Sequence, residues 1–114
     1  MKKVTFYKTM FGGKGKPPRF ETASGYQSFY TVTGTDIELS LIFHKSGASW
    51  AITEESTGLL IQLGFGTRKE AESAITPDLL RKINDRLPSV NEYRTMLNIY
   101  RGRVGEQSDV SKSA

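Results

Sequence analysis

The sequence predicts an α+β fold, with an antiparallel sheet of about five short strands followed by two or three helices. Up to residue 65, apolar side chains recur at every second position and glycine-containing turns separate the runs, as strands require. After residue 66 the apolar spacing changes to about 3.6 residues, which is the helical period. Because the strands precede the helices without alternating with them, the order argues against a parallel α/β sheet.

Several runs of β-branched, aromatic and aliphatic residues are separated by short turns. Alternation is clearest in the third run, where Leu39, Leu41 and Phe43 share one face. On the opposite, polar face of that run only Ile42 is apolar. The close spacing of the runs is typical of an antiparallel meander. The predicted strands are Lys2–Thr9, Tyr26–Thr33, Ile37–His44, Trp50–Thr53 and Leu59–Leu63.

Cap signals mark the helix starts that follow the last strand. In two of them a Thr or Ser precedes a Glu by three positions, so that each side chain can bond a free backbone amide near the helix start. In another, Thr stands before Pro, which is well suited to the first helical position because its missing N–H is not needed there. Gly102 is placed to end the last helix. The cap pairs are Thr67 with Glu70, Thr76 with Pro77 and Ser89 with Glu92.

Length and composition indicate one domain. With 114 residues, of which 37% are hydrophobic, the chain can bury a single modest core and should fold. We predict one α+β domain at 1–104, with a flexible basic loop at 10–19 and a polar, disordered tail at 105–114. No apolar stretch is long enough for a membrane span or a signal peptide, so we expect a soluble, cytoplasmic protein.

The net charge of +4 hides an uneven distribution along the chain. Residues 1–19 contain six basic residues and no acid, and residues 20–80 contain eight acids against three bases. Residues 81–103 turn basic again, with six bases against two acids. Two basic flanks around an acidic middle suggest a polarised surface that faces a charged partner. The alternative is that these side chains merely solvate exposed faces.

Groups that could carry catalysis are scarce. The chain has no cysteine, which excludes a thiol nucleophile, a disulfide and a thiolate metal site. His44 is the only histidine and has no carboxylates at metal-ligand spacing, so we interpret it as a surface residue at a strand end. Glu54 and Glu55 are neighbours whose side chains point to opposite faces, and we interpret them as a solvated hairpin tip. We therefore predict a non-enzymatic protein without a metal or cofactor.

The loop after the first strand contains three glycines and two prolines. It is not a Walker phosphate loop, because Lys16 is followed by Pro17 and no helix begins there. It can still make unspecific phosphate contacts, or it can be a plain solvated connection. Four aromatic residues near this basic loop suit base stacking in a single-stranded nucleic-acid site, or belong to the core. They are Tyr7, Tyr26, Phe29 and Tyr30.

The segment from Trp50 to Ile75 resembles part of a known family, the arm-binding DNA domains at the N-terminus of tyrosine-type integrases. The last strand of those domains commonly runs through Gly-Phe-x-Thr-Lys/Arg-Lys-Glu-Ala into a helix, and this chain has Gly64-Phe65-Gly66-Thr67-Arg68-Lys69-Glu70-Ala71. The resemblance covers about a quarter of the chain. It implies three antiparallel strands packed on one helix, and an origin on a phage or conjugative element, which would place the protein in the cytoplasm of a bacterial host cell. Those domains read the major groove with basic and polar side chains, whereas these strands carry acids.

Two functions follow as hypotheses, beside the third possibility of a plain structural or oligomerisation module. In the first, the chain is an accessory protein of a phage or mobile element, similar in kind to anti-CRISPR proteins. It would bind a host nuclease or its nucleoprotein complex through the acidic block, which comprises Glu38, Glu54 and Glu55. In the alternative, it is a small DNA- or RNA-binding module that uses the basic N-terminal arm and the basic helices. The residues of that alternative site are Lys14, Lys16, Arg19, Arg81, Lys82, Arg86 and Arg94.

Overall fold

The computed structural model describes the backbone of residues 1–113 and the side chains of residues 1–104. The predicted tail at 105–114 lies outside the range whose side chains are described. The elements, in chain order, are β1 (Lys2–Met10), β2 (Arg19–Thr31), β3 (Glu38–Ser46), β4 (Ser49–Glu54), β5 (Leu59–Phe65), α1 (Arg68–Ser73), α2 (Pro77–Arg86), a short 3₁₀ helix (Leu87–Val90) and α3 (Asn91–Ser113).

The strands form one antiparallel sheet in which each strand pairs with the next along the chain, from β1 to β5. This arrangement confirms the predicted α+β class. The second strand begins at Arg19 and not at the predicted Tyr26, because β1 pairs along the weak β-formers around Gly25 and holds them extended. The first loop therefore spans 11–18, which is shorter than the predicted 10–19.

The sheet curls until the end of β1 meets the β4–β5 turn. The Thr9 amide donates to the Gly58 carbonyl at 2.9 Å, and the Thr9 hydroxyl donates to the Thr57 carbonyl at 2.6 Å. Gly58 has a φ of 68°, and a Cβ there would lie 2.7 Å from the Tyr7 carbonyl oxygen. The approach therefore requires glycine. The result is a barrel-like sheet whose two edge strands touch at one end.

The outer face of this curled sheet is covered by the helices. Apolar side chains of β3 and β4 alternate toward that face, and α1 and α2 lay their apolar faces on them. Each fully buried aliphatic or aromatic side chain contributes about 1.5–3 kcal/mol through the hydrophobic effect. The buried residues of this core are Val32, Leu39, Leu41, Phe43, Ile52, Ala71, Leu80 and Ile83.

The inner face of β3 is also buried, although the sequence predicted it to be the polar face of that strand. Ile42 is fully buried and His44 is 3% exposed. The Phe6 ring of β1 lies 4.9 Å from the His44 ring, across Gly25 of β2. A Cβ at Gly25 would lie 2.5 Å from the Ile42 side chain, so the small residue lets the inner side chains meet. The reason for the failed prediction is the curl, which lets β1 cover the face.

Two of the predicted helix starts are confirmed. The Thr67 hydroxyl accepts from the Glu70 amide at 3.1 Å, and the Glu70 carboxylate accepts from the Gly66 amide at 3.0 Å. The Thr76 hydroxyl accepts from the Leu79 amide at 3.1 Å. These bonds satisfy backbone donors that a helix start leaves free.

The predicted cap at Ser89 and the predicted end at Gly102 are both wrong. The Ser89 hydroxyl donates to the Arg86 carbonyl at 2.7 Å, and the 3₁₀ helix leads from α2 into α3 without a new cap. Gly102 lacks the positive φ of a glycine cap, and α3 continues through it. In the part of the chain that the structure describes, the helices lack the combination of length and apolarity that crosses a membrane.

Candidate nucleic-acid interface

A groove of about 600 Å³ lies between the end of the β1–β2 hairpin and one side of α3. We call it the hairpin–α3 groove. Aromatic and aliphatic side chains form its walls, and it contains an arginine from each of the two elements. Among residues 1–104, no acidic side chain lines it. Its lining residues are Pro17, Pro18, Arg19, Phe20, Met96, Ile99, Tyr100 and Arg103.

Aromatic contacts fix the hairpin on α3. The Tyr100 ring packs on Phe20 and edge-on against Tyr7, with centroid distances of 5.0 and 5.5 Å. Further along the hairpin, Phe11 packs edge-on against Tyr93 at 5.4 Å. Such pairs add about 0.5–1.5 kcal/mol each beyond the area that they bury. The two walls of the groove are therefore held at a defined separation.

Three predicted basic residues lie at the hairpin end of the groove. Arg19 lines it directly, while Lys14 and Lys16 are exposed in the loop that leads into its proline wall. Arg19 also lies 3.8 Å from Glu21, and the two side chains are 72% and 47% exposed. An ion pair in water is weak, so Arg19 can leave Glu21 and bind a phosphate at little cost in free energy.

Arg103 on α3 adds a cation that the sequence-based site does not include. Its position follows a pattern that is visible in the sequence, since Met96, Ile99, Tyr100 and Arg103 are spaced as one helical face. Two further arginines of α3 face elsewhere. Arg94 donates to the Ser56 hydroxyl at 3.0 Å, and Arg101 donates to the Glu55 carbonyl at 3.2 Å.

The structure does not bring the basic residues of α2 into this groove. Arg81 and Lys82 lie 3.9 and 3.2 Å from Asp78 on their own helix. Lys82 and Arg86 line a separate apolar groove of about 430 Å³ between α2 and β5. The predicted basic site is therefore divided: Lys14, Lys16 and Arg19 belong to the hairpin, and Arg81, Lys82 and Arg86 belong to α2.

The acidic block does not form a surface, because Glu54 is 2% exposed. Its carboxylate accepts hydrogen bonds from the amides of Ser56 and Thr57 at 2.9 and 3.1 Å. It also accepts from their hydroxyls at 2.7 and 2.9 Å. A carboxylate bonded in this way holds the turn together and presents nothing to a partner, so the predicted protein-binding role of Glu54 is wrong.

The other two acids of the block lie in different surroundings. The Glu55 carboxylate is half-buried and accepts from Gln27 at 2.9 Å and from the Ser40 hydroxyl at 2.7 Å. Glu38 is exposed at the start of β3. The solvated hairpin tip predicted at Glu54 and Glu55 is therefore replaced by a bonded turn.

The four aromatic residues predicted near the basic loop also separate. Tyr7 and Tyr30 pack edge-on against other aromatic rings, at centroid distances of 5.5 and 6.5 Å. The guanidinium of Arg68 covers the Tyr26 ring at 4.3 Å. Of the four, Phe29 alone is largely exposed, at 57%. The set therefore does not form a stacking platform.

His44 is buried and not the predicted surface residue. One ring nitrogen, Nδ1, lies 3.1 Å from the Lys45 carbonyl, and Nε2 lies 2.7 Å from the Thr53 hydroxyl. Because a carbonyl can only accept, Nδ1 donates and Nε2 accepts from Thr53. Burial lowers the pKa of His44 below its usual 6.5; the hydrogen bond to the Lys45 carbonyl opposes this shift, and the nearby Lys8 adds to it. Within the described residues, no group of His, Asp and Glu side chains is arranged to hold a metal ion.

Comparison with known proteins finds no relative of this chain. No protein-family model, no curated protein and no solved structure matches the chain. The resemblance of Trp50–Ile75 to integrase arm-binding domains stays a prediction.

Proposed function

We propose that the protein binds nucleic acid through the hairpin–α3 groove, with backbone phosphates held by Lys14, Lys16, Arg19 and Arg103. One observation carries the proposal: the acid-free N-terminal arm is fixed beside an arginine of α3, across a groove whose described lining contains no acid. Clustered cations of this kind attract a polyanion because each contact releases counterions from its phosphates. Because the cations lie on both the β1–β2 hairpin and α3, the nucleic-acid backbone would be held at two points.

The predicted role in a phage or mobile element is compatible with this proposal, since accessory proteins of such elements act where nucleic acid is handled. Inhibition of a nuclease through an acidic surface is not part of it. The Glu54 carboxylate is used inside the turn, and Glu55 is held by Gln27 and Ser40. Glu38 remains as the exposed member of the block. A single exposed acid does not mimic a nucleic-acid backbone.

Fluorescence anisotropy with labelled random-sequence DNA, as duplex and as single strand, tests the proposal across a series of salt concentrations. We expect binding that weakens steeply as salt rises. The triple change Lys14→Ala, Lys16→Ala and Arg103→Ala should lower the salt slope by about 3, one for each lost phosphate contact. The three side chains are solvent-exposed, so urea denaturation should show a change in stability within about 0.5 kcal/mol.

The matched control is the double change Arg81→Ala and Lys82→Ala on α2, which also removes exposed positive charge but lies outside the groove. It should leave most of the affinity and the salt slope in place. If the control weakens binding as much per charge as the groove variant does, the site is not the hairpin–α3 groove. If the unmodified protein binds neither duplex nor single strand at low salt, the proposed function is wrong.

A further inference from the structure

We infer that the hairpin–α3 groove selects single-stranded nucleic acid over duplex. The inference rests on the proposed function and goes beyond it, because cations alone do not distinguish the two forms. What distinguishes them here is the surface between the cations. Aliphatic and aromatic side chains occupy it, and several remain exposed although they lie beside arginines.

The apolar lining is the first observation. Ile99 is 52% exposed and Met96 is 39% exposed on the same side of α3. Phe20 of β2 and Tyr100 of α3 are half-buried in the same groove. A duplex presents sugars and phosphates to such a surface and keeps its bases stacked inside. An unpaired base, in contrast, can lay its flat apolar face on these side chains, and the gain is independent of sequence.

The size of the groove is the second observation. The groove is open to solvent, and its volume of about 600 Å³ is in the range of small-molecule clefts. It is large enough for an unstacked base with its sugar, which a duplex does not present. The cations at the two sides, Arg19 and Arg103, then meet the phosphates that flank the bound base.

The sheet gives the third observation, because β3 and β4 offer no face for reading a duplex. The Phe6 ring packs on His44 from the inner side, and Ile42 and His44 are at most 3% exposed. The outer face of these strands is covered by α1 and α2. On the inner side of β5, Leu60 and Leu63 are exposed, but that strand carries no basic residue that would hold a phosphate.

The test compares a 12-nucleotide oligothymidine with a 12-base-pair duplex at the same salt concentration by fluorescence anisotropy. We expect the single strand to bind at least about tenfold more tightly. The double change Met96→Ser and Ile99→Ser should weaken single-strand binding about fivefold or more, because the lost contacts are those with bases. It should leave the salt slope unchanged, since no phosphate contact is removed.

Leu63→Ser is the matched control, because Leu63 is 56% exposed on β5 and lies outside the groove. It should leave both affinities unchanged. Circular dichroism of each variant checks that the fold is retained. Equal or tighter binding of the duplex, or single-strand binding that is unaffected by Met96→Ser and Ile99→Ser, overturns the inference while the proposed function stands. Absence of binding to both probes overturns the proposed function itself.

Discussion

The β4–β5 turn and the β1–β2 loop both connect neighbouring strands and both combine charged residues with glycine. In the turn, the Glu54 carboxylate accepts four hydrogen bonds and Gly58 lies against β1. In the loop, Lys14 and Lys16 are exposed, and a Cβ at Gly13 would meet nothing within 4 Å. The charges of the turn therefore hold the fold, and those of the loop are available to a partner.

This difference has a physical origin in the hydrogen-bonding capacity of the two charge types. A carboxylate only accepts hydrogen bonds, and a tight turn offers several amide and hydroxyl donors at short range. The acceptor capacity of an acid can therefore be satisfied within the turn. A lysine only donates from the end of a long flexible stem and keeps its charge in water. An acidic stretch of sequence can therefore be buried in a turn, whereas a lysine-rich stretch stays on the surface.

The largest effect is expected for Glu54→Ala. The change removes an acceptor from four donors inside a buried turn, and we expect a loss of about 4 kcal/mol in the free energy of unfolding, measured by urea denaturation. Glu54→Gln keeps the shape of the side chain, and should cost less because its amide oxygen still accepts.

The control for Glu54 is Glu38→Ala, an exposed acid at the start of β3, which should change stability by no more than about 0.5 kcal/mol. Similar small effects for Glu54 and Glu38 would contradict the view that the turn is held by a buried carboxylate. The acidic block would then have to be reconsidered as a surface.

A smaller effect is expected for Gly58→Ala. The backbone at Gly58 has a φ of 68°, and a Cβ there would lie 2.7 Å from the Tyr7 carbonyl oxygen and 3.0 Å from the Thr9 amide nitrogen. Alanine at this position would strain the backbone and displace β1. We therefore expect a loss of about 3 kcal/mol in the free energy of unfolding, measured by urea denaturation.

Gly13→Ala is the counterpart in the β1–β2 loop, where φ is 108° and the space is open. It should cost about 1 kcal/mol, from backbone strain alone. The difference between the two alanine variants measures how firmly β1 is attached to the turn. If the two losses are equal, the contact between Thr9 and Gly58 contributes little.

The smallest effect concerns His44, whose Nε2 accepts from Thr53 next to the turn. Burial lowers the pKa of His44 below 6.5, so the unfolded chain binds the proton more readily than the folded one. The stability contributed by the neutral ring is complete above about pH 6.5 and is lost as the pH falls from there toward the lowered pKa. One proton limits the slope to about 1.4 kcal/mol per pH unit.

Urea denaturation at pH 7.5, 6.5 and 5.5 measures this dependence. His44→Asn should be less stable at pH 7.5 because the Asn side chain is too short to reproduce both ring contacts, and it should show a flatter response to acid. The carboxylates of the chain contribute equally to the pH dependence of both proteins, so the difference between the two is specific to His44. An identical pH response in both proteins would mean that His44 does not titrate in this range.

Local patterns in the sequence were sufficient for much of the fold. The alternation of Leu39, Leu41 and Phe43 fixes which face of β3 meets the helices, and the cap signals at Thr67 and Thr76 mark two helix starts. These features depend on residues a few positions apart. The burial of the opposite face does not, because Phe6 reaches His44 only after the sheet has curled.

The candidate site was predictable in part for the same reason. Lys14, Lys16 and Arg19 lie close together in the chain, and their grouping is visible without a structure. Arg103 joins them only because Tyr100 packs on the hairpin. The burial of Glu54 could not be predicted either, since a neighbouring acid, Glu55, has the same charge and a different environment.

The contact between Thr9 and the β4–β5 turn has a consequence for the order in which the molecule assembles. It joins positions 48 residues apart, whereas β2 to β5 pair through short local hairpins. Closing a long loop is entropically expensive, so we expect this contact to form late. Hydrogen exchange at the Thr9 amide would then report the first opening of the native state. Closure of the sheet between β1 and the β4–β5 turn, and not the pairing of β1 with β2, would then be the last step of assembly.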